Sequence, residues 1–233
     1  MRNPLFHVKI CGVTTPADAR LAAEVGADAV GFNFVEGSPR RIEVAAARDA
    51  IVALPHGVLA VGVFAGTPAR DILEIARATG LGAIQLHGHL AGESLAVDPP
   101  ARCAELAGLP VIRAVRMDAR GLKSAREWLQ ASAEAGRQPD MLIIDAAVAS
   151  TASAGVLGGT GTRVDWEALR REPPPAIPFA LAGGLTPENV AEAIMASGAR
   201  AVDTASGVEA APGFKDPSRV RAFVAAALTA LGG

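Results

Sequence analysis

The sequence predicts one closed barrel of eight parallel strands alternating with helices, the (β/α)8 fold, occupying residues 1–233 as a single catalytic domain. Three observations predict it. A unit of Thr-Pro, helical stretch, Gly and apolar run recurs three times along the chain. Its apolar runs lack strict alternation, as expected for strands covered on both faces. Eight such runs fit into 233 residues, a length suited to an unadorned barrel of this kind. A doubly wound open sheet is the competing fold, but its GxGxxG fingerprint is missing after the first strand.

The elements follow in order. His7–Cys11 is the first strand, and Thr15-Pro16 opens a helix that ends at Gly26, before the second strand Asp28–Asn33. A helix centred on Ala45–Ala53 leads to the third strand, Val58–Phe64. Thr67-Pro68 opens the second unit, which ends at Gly80 before the fourth strand, Ala83–Leu86. Pro110–Val115, Met141–Asp145 and Ile177–Ala182 are the next three strands, with helices over Lys123–Ala135 and Asp165–Arg170. Thr186-Pro187 opens the third unit, Gly198 ends it, and Arg200–Thr204 is the eighth strand; Pro217–Leu231 closes the chain. In each unit the threonine hydroxyl is expected to cap the helix, proline fits the first turn, and glycine takes the left-handed conformation at the end. Gly92–Ala101 and Glu172–Pro178 read as surface loops.

Half of the residues are apolar and the net charge is −2 with both signs mixed, so no broad basic surface for nucleic acid is expected. The first residues lack the apolar stretch of a signal peptide, and no window is long and uncharged enough for a bilayer. Cys11 and Cys103 are the only cysteines, which argues against a disulfide framework or a zinc site. A cytoplasmic protein with reduced thiols is expected, binding neither membrane nor nucleic acid and needing no metal or cofactor.

Chemistry in such barrels sits at the C-terminal ends of the strands. The polar residues there are Cys11, Asn33, Gln85, His87, Arg116, Asp145 and Asp203, with Arg40 in the loop after the second strand. Glycine-rich stretches at 158–161, 183–184 and 206–207 face the same end, and the last two follow strands seven and eight, where barrels of this class hold phosphate. Each residue also has a plainer reading. Cys11 could be a small buried apolar residue, Asp145 a loop cap, His87 a core histidine and Arg40 a solvated side chain. Cys103, on an expected helix, is given no role.

These residues arrive in phrases that resemble the phosphoribosylanthranilate isomerase family along nearly the whole chain. The phrases are Lys9-Ile10-Cys11-Gly12, Gly31-Phe32-Asn33-Phe34, Ser38-Pro39-Arg40, Gln85-Leu86-His87-Gly88, Leu142-Ile143-Ile144-Asp145 and Gly158-Gly159-Thr160-Gly161. Leu181-Ala182-Gly183-Gly184, Ser206-Gly207-Val208-Glu209, Pro212-Gly213 and Lys215-Asp216 complete them. The resemblance implies an Amadori rearrangement in tryptophan biosynthesis, with Cys11 as general base, Asp145 as general acid and Arg40 on the anthranilate carboxylate. Gln85, His87 and Asp203 are expected to contact the phosphosugar substrate, and Gly159, Gly183, Gly184, Ser206 and Gly207 its phosphate. Surroundings that favour the Cys11 thiolate are expected, because an ordinary thiol is only about three per cent ionised at pH 7. Bound substrate is likewise expected to raise the pKa of Asp145. The chain would act as a monomer or homodimer.

Two positions depart from the family pattern: Ala205 stands where serine is common, and Thr162 where lysine is expected. The related isomerase of histidine biosynthesis typically has aspartate at the position of Cys11. A pentose-phosphate epimerase would need a metal cluster that His7, His56, His87 and His89 are not distributed to form. A silent phosphosugar-binding barrel would keep the glycines without the acid–base pair.

Overall fold

The computed structural model describes residues 3–88, 98–117, 121–145 and 166–232. Its eight parallel strands close into a barrel in sequence order, β1 pairing with both β2 and β8. The strands are β1 Val8–Cys11, β2 Ala29–Asn33, β3 Leu59–Phe64, β4 Ala83–Leu86, β5 Val111–Arg116, β6 Met141–Asp145, β7 Phe179–Ala182 and β8 Val202–Thr204. All eight fall inside or within one residue of the runs read from the sequence. The helices are α1 Pro16–Glu24, α2 Val44–Val52, α3 Ala69–Thr79, α4 Arg102–Glu105, α5 Lys123–Glu134, α6 Trp166–Arg171, α7 Val190–Ser197 and α8 Pro217–Leu231. No helix among the described residues is long and apolar enough to cross a membrane.

Side chains alternate across each strand, so each run divides between two cores. Val8, Ile10, Val30, Phe32, Ile84, Leu86, Leu142 and Ile144 point outward into the layer shared with the helices. Phe6, Ala29, Val61, Ala83, Ile112, Met141, Ile143, Ala180 and Ala201 fill the barrel interior. That parity also sends Lys9 and Cys11, Gln85 and His87, Asp145, and Asp203 inward, stacked above the apolar floor.

The recurrent unit is only partly built as the sequence suggests. Gly26, Gly80 and Gly198 all have positive φ at or just past their helix ends. Thr15 Oγ1 accepts the Asp18 N–H at 3.1 Å and caps α1. At α3 the cap position is Pro68 instead, without a side-chain hydrogen bond, so Thr67 caps nothing. Before α7, Asn189 Oδ1 accepts the Thr186 N–H at 2.8 Å, and the helix starts later than its Thr-Pro pair.

Two features lie outside the sequence reading. A 3-10 turn, Ser206–Val208, runs into an antiparallel hairpin of β9 Glu209–Ala211 and β10 Phe214–Lys215. The reading of Gly92–Ala101 as a surface loop fails at Asp98, which is 1% exposed. Its carboxylate accepts the Gly66 and Gly88 N–H groups at 3.0 and 2.7 Å and faces the buried Arg113 guanidinium at 3.5 Å. Arg113 lies over the Trp128 ring, 4.9 Å from its centroid, and donates to the Gly88 carbonyl at 2.6 Å. Two backbone donors and a cation offset much of the desolvation cost of burying this carboxylate, which a bare one would bear in full.

Candidate active site

The site begins with β1, whose inward positions are Lys9 and, one pleat higher, Cys11. Gly31 stands opposite Cys11 in the β1–β2 register. A Cβ on Gly31 would fall 2.7 Å from Cys11 Sγ and 3.1 Å from Lys9 Cε, so glycine there leaves room for both side chains. Lys9 is wholly buried and donates to Asp203 Oδ1 at 2.8 Å, directly across the β1–β8 pairing. Burial opposes the Lys9 charge, but Asp203 and Cys11 outweigh it and hold the ammonium above its ordinary pKa.

The expectation of surroundings that favour the thiolate is corrected here. Burial pushes the Cys11 thiol up; Lys9 and Lys215 pull it down, Asp203 adds to the rise, and the net direction is upward. Water is the better solvent for the anion, and the nearby cations recover only part of that loss.

Gln85 and His87 project inward from and just past β4. Gln85 is 2% exposed, level with Lys9 rather than with the rim, and its Nε2 lies 3.4 Å from His87 Nδ1. Gln85 Oε1 accepts no hydrogen bond from the described residues. Desolvation within the barrel mouth lowers the His87 pKa below its ordinary value, against the pull of Asp203, although the residue keeps an exposed edge. Asp145 ends β6 at the rim, with Arg116 Nη2 at 3.8 Å from its Oδ2.

Arg40 comes from a loop that Asn33 and Ser38 shape. Asn33 Oδ1 accepts the Val35 N–H at 2.8 Å, its Nδ2 donates to Ser38 Oγ at 3.0 Å, and Ser38 Oγ accepts the Arg40 N–H at 3.2 Å. The aliphatic stem of Arg40 then passes over Gly12, where a Cβ would lie 2.6 Å from Arg40 Cδ, and its guanidinium continues beyond. It meets Glu209 in a two-pronged pair, Nε to Oε1 at 2.9 Å and Nη2 to Oε2 at 2.7 Å. Lys215 Nζ donates to the same carboxylate at 2.8 Å and to the Ala205 carbonyl at 3.1 Å. Burial alone would raise the Glu209 pKa, but Arg40 and Lys215 bring it below the usual range.

After β7, Gly183 and Gly184 have φ of 93° and 63°. A Cβ on Gly207 would run into the Leu185 carbonyl oxygen, so only glycine lets the 3-10 turn lie against the β7 loop. Thr204 Oγ1 donates to that same carbonyl at 2.8 Å and ties β8 to the loop. Gly207 thereby stands against Leu185, the residue that follows Gly183 and Gly184. Gly159, with its stretch 158–161, and Thr162 lie outside the described residues.

Sequence reasoning thus brought Cys11, Gln85, His87 and Asp203 to one interior and Asp145 to its rim, but gave no role to Lys9, Glu209 or Lys215. All three lie in the phrases that carry the family resemblance. The signal that could have singled out Lys9 is a charge two positions before Cys11 in an otherwise apolar strand.

A closed parallel barrel with a thiol, carboxylates and an oriented arginine gathered at one end defines a (β/α)8-barrel enzyme. The family model of N-(5'-phosphoribosyl)anthranilate isomerase matches residues 8–226. A Rubrobacter xylanophilus protein named N-(5'-phosphoribosyl)anthranilate isomerase is 43% identical over 96% of this chain and 99% of its own. The crystal structure of phosphoribosyl anthranilate isomerase from Thermotoga maritima superposes with a TM-score of 0.81 at 34% identity, covering 96% of this chain and 99% of that one. A second structure of such an enzyme, in complex with reduced 1-(o-carboxyphenylamino)-1-deoxyribulose 5-phosphate, gives 0.75 at 33% over the same shares. The chain belongs to the N-(5'-phosphoribosyl)anthranilate isomerase family, aldose–ketose isomerases of tryptophan biosynthesis.

Proposed function

We propose that the whole chain acts as one catalytic domain in the cytoplasm, with Cys11 as general base and Asp145 as general acid in the rearrangement of N-(5'-phosphoribosyl)anthranilate to 1-(2-carboxyphenylamino)-1-deoxyribulose 5-phosphate. Asp145 gives a proton to the ribose ring oxygen as the bond to C1 breaks, leaving an open-chain iminium. Cys11 as thiolate takes the proton from C2, and the enolamine tautomerises to the ketone. Protons enter and leave in balance, so the reaction is an isomerisation needing no electron carrier.

The observation that supports this reading is the pairing of parity and position. Cys11 and Asp145 end strands β1 and β6, both point into the barrel, and they lie at the same end of it. Arg40 is the carboxylate anchor in this reading. Glu209 occupies its Nε and one face of Nη2, which leaves Nη1 for the anthranilate group. Gly183, Gly184, Ser206 and Gly207, together with Gly159, hold the phosphate through backbone N–H groups. With both ends of the substrate fixed, the sugar is held between base and acid. The free acceptor of Gln85 suits a sugar hydroxyl, His87 lines the same space, and Asp203 acts from beneath through Lys9.

Turnover of freshly generated N-(5'-phosphoribosyl)anthranilate, followed by loss of its fluorescence, tests the base. Cys11→Ala should lower kcat by roughly two to four decades with the fold intact. Near-normal turnover would remove Cys11 from the mechanism.

A further inference from the structure

We propose that Lys9 is a positioning residue for Cys11: its ammonium, held beneath the thiol by Asp203, is the counter-ion of the Cys11 thiolate. The inference deepens the reading of Cys11 as general base and rests on that reading for its catalytic meaning. Three features carry it. Lys9 is wholly buried in the barrel interior, where an ammonium is costly unless an anion accompanies it. One such anion is in place, Asp203 Oδ1 at 2.8 Å. The other direction open to it is the sulfur, since Cys11 Sγ and Lys9 Cε both lie about 3 Å from the point where a Gly31 Cβ would stand. A pair serving structure alone could be replaced by apolar side chains like those of the floor below. This pair sits one pleat under the reactive group instead.

The charged groups facing Cys11 are Lys9 on its own strand, Asp203 from β8, Lys215 from the β9–β10 hairpin and Arg40 from the loop after β2. Asp203 has two opposed effects: it fixes Lys9, and its own charge disfavours the thiolate. Removing each partner should therefore move the thiol in opposite directions.

The test is the pH dependence of Cys11 alkylation by iodoacetamide, with the adduct located by mass spectrometry. Cys103 is wholly buried and supplies the unreactive control. Asp203→Asn should lower the pH at which Cys11 becomes reactive. The double variant Lys9→Met/Asp203→Asn should titrate above Asp203→Asn by roughly one to three pH units, the effect of an opposite charge within a few ångströms. At a fixed pH below both midpoints that is at least about tenfold slower alkylation. The double variant leaves no uncompensated buried charge. If Asp203→Asn alone does not fold, the double variant is compared with the wild type and should again titrate higher, because Lys9 outweighs Asp203 at the thiol. Titration of the compared variants at the same pH would overturn the proposal, whatever the turnover data say. Normal turnover by Cys11→Ala with the titration shift present would overturn only the reading of Cys11 as base.

Discussion

Arg40 carries a guanidinium whose direction is fixed by a carboxylate 169 residues away, as the proposed role of substrate anchor requires. Glu209 is only 4% exposed at its side chain and holds Nε and Nη2 at 2.9 and 2.7 Å, while Lys215 holds Glu209 from behind at 2.8 Å. A planar fork matched to a carboxylate loses little freedom on binding a second one, which is the advantage of arginine over lysine here. Glu209→Gln keeps the shape but removes the charge and one acceptor. It should raise KM by roughly tenfold with kcat little changed, the pattern expected when ground-state and transition-state binding fall together. Steady-state kinetics decide this, and a fall in kcat at constant KM would contradict it. Arg40 itself is legible from its place after the second strand and from the Ser38-Pro39-Arg40 phrase, but its pairing with Glu209 is not, because the two lie far apart along the chain. Lys9 was hidden for a related reason. Its one local mark is its place in an apolar strand, and its neutralising partner, Asp203, lies at the far end of the chain.

At the scale of elements, the apolar runs made all eight strands legible, with boundaries within two residues, because each is a short run buried on both faces. The β9–β10 hairpin was not legible. Its strands are three and two residues long, too short to show any periodicity, and it is held by Lys215 and by the Thr14 hydroxyl on the Gly213 carbonyl at 2.8 Å. Asp98 escaped in the opposite way: a Pro-rich polar segment looks exposed until its backbone donors and Arg113 are known. The Thr-Pro repeat carries a further lesson, since three similar phrases start their helices differently. Thr15→Ala should destabilise the protein by about 1 kcal/mol through loss of the cap, whereas Thr67→Ala should cost close to nothing. Urea denaturation midpoints of the two variants check this. Equal losses would mean that the hydrogen bond at Thr15 contributes nothing.

For the molecule as a whole, the interior changes character along the barrel axis. Phe6, Ala29, Val61, Ala83, Met141 and Ala201 make an apolar floor; Lys9, Gln85 and Asp203 form a polar layer over it; Cys11, His87 and Asp145 stand at the mouth. Apolar packing of the floor and the helix layer supplies the rigidity on which the polar layers depend. The loops then bring Arg40 and the glycine turns after β7 and β8 to the same end, Arg40 tied by Glu209 to the segment that follows the β8 turn. Fold and rim residues could be read from the sequence because strand parity and strand ends are local properties. The links between them required the closed barrel, which brings β1 beside β8. Turnover of N-(5'-phosphoribosyl)anthranilate by Asp145→Asn, measured beside the wild type under single-turnover conditions, tests the acid–base pairing most directly. Rapid fluorescence decay is expected for the wild type and a rate lower by about two to four decades for the variant, with binding of the reduced product analogue retained. Decay at the wild-type rate would contradict it.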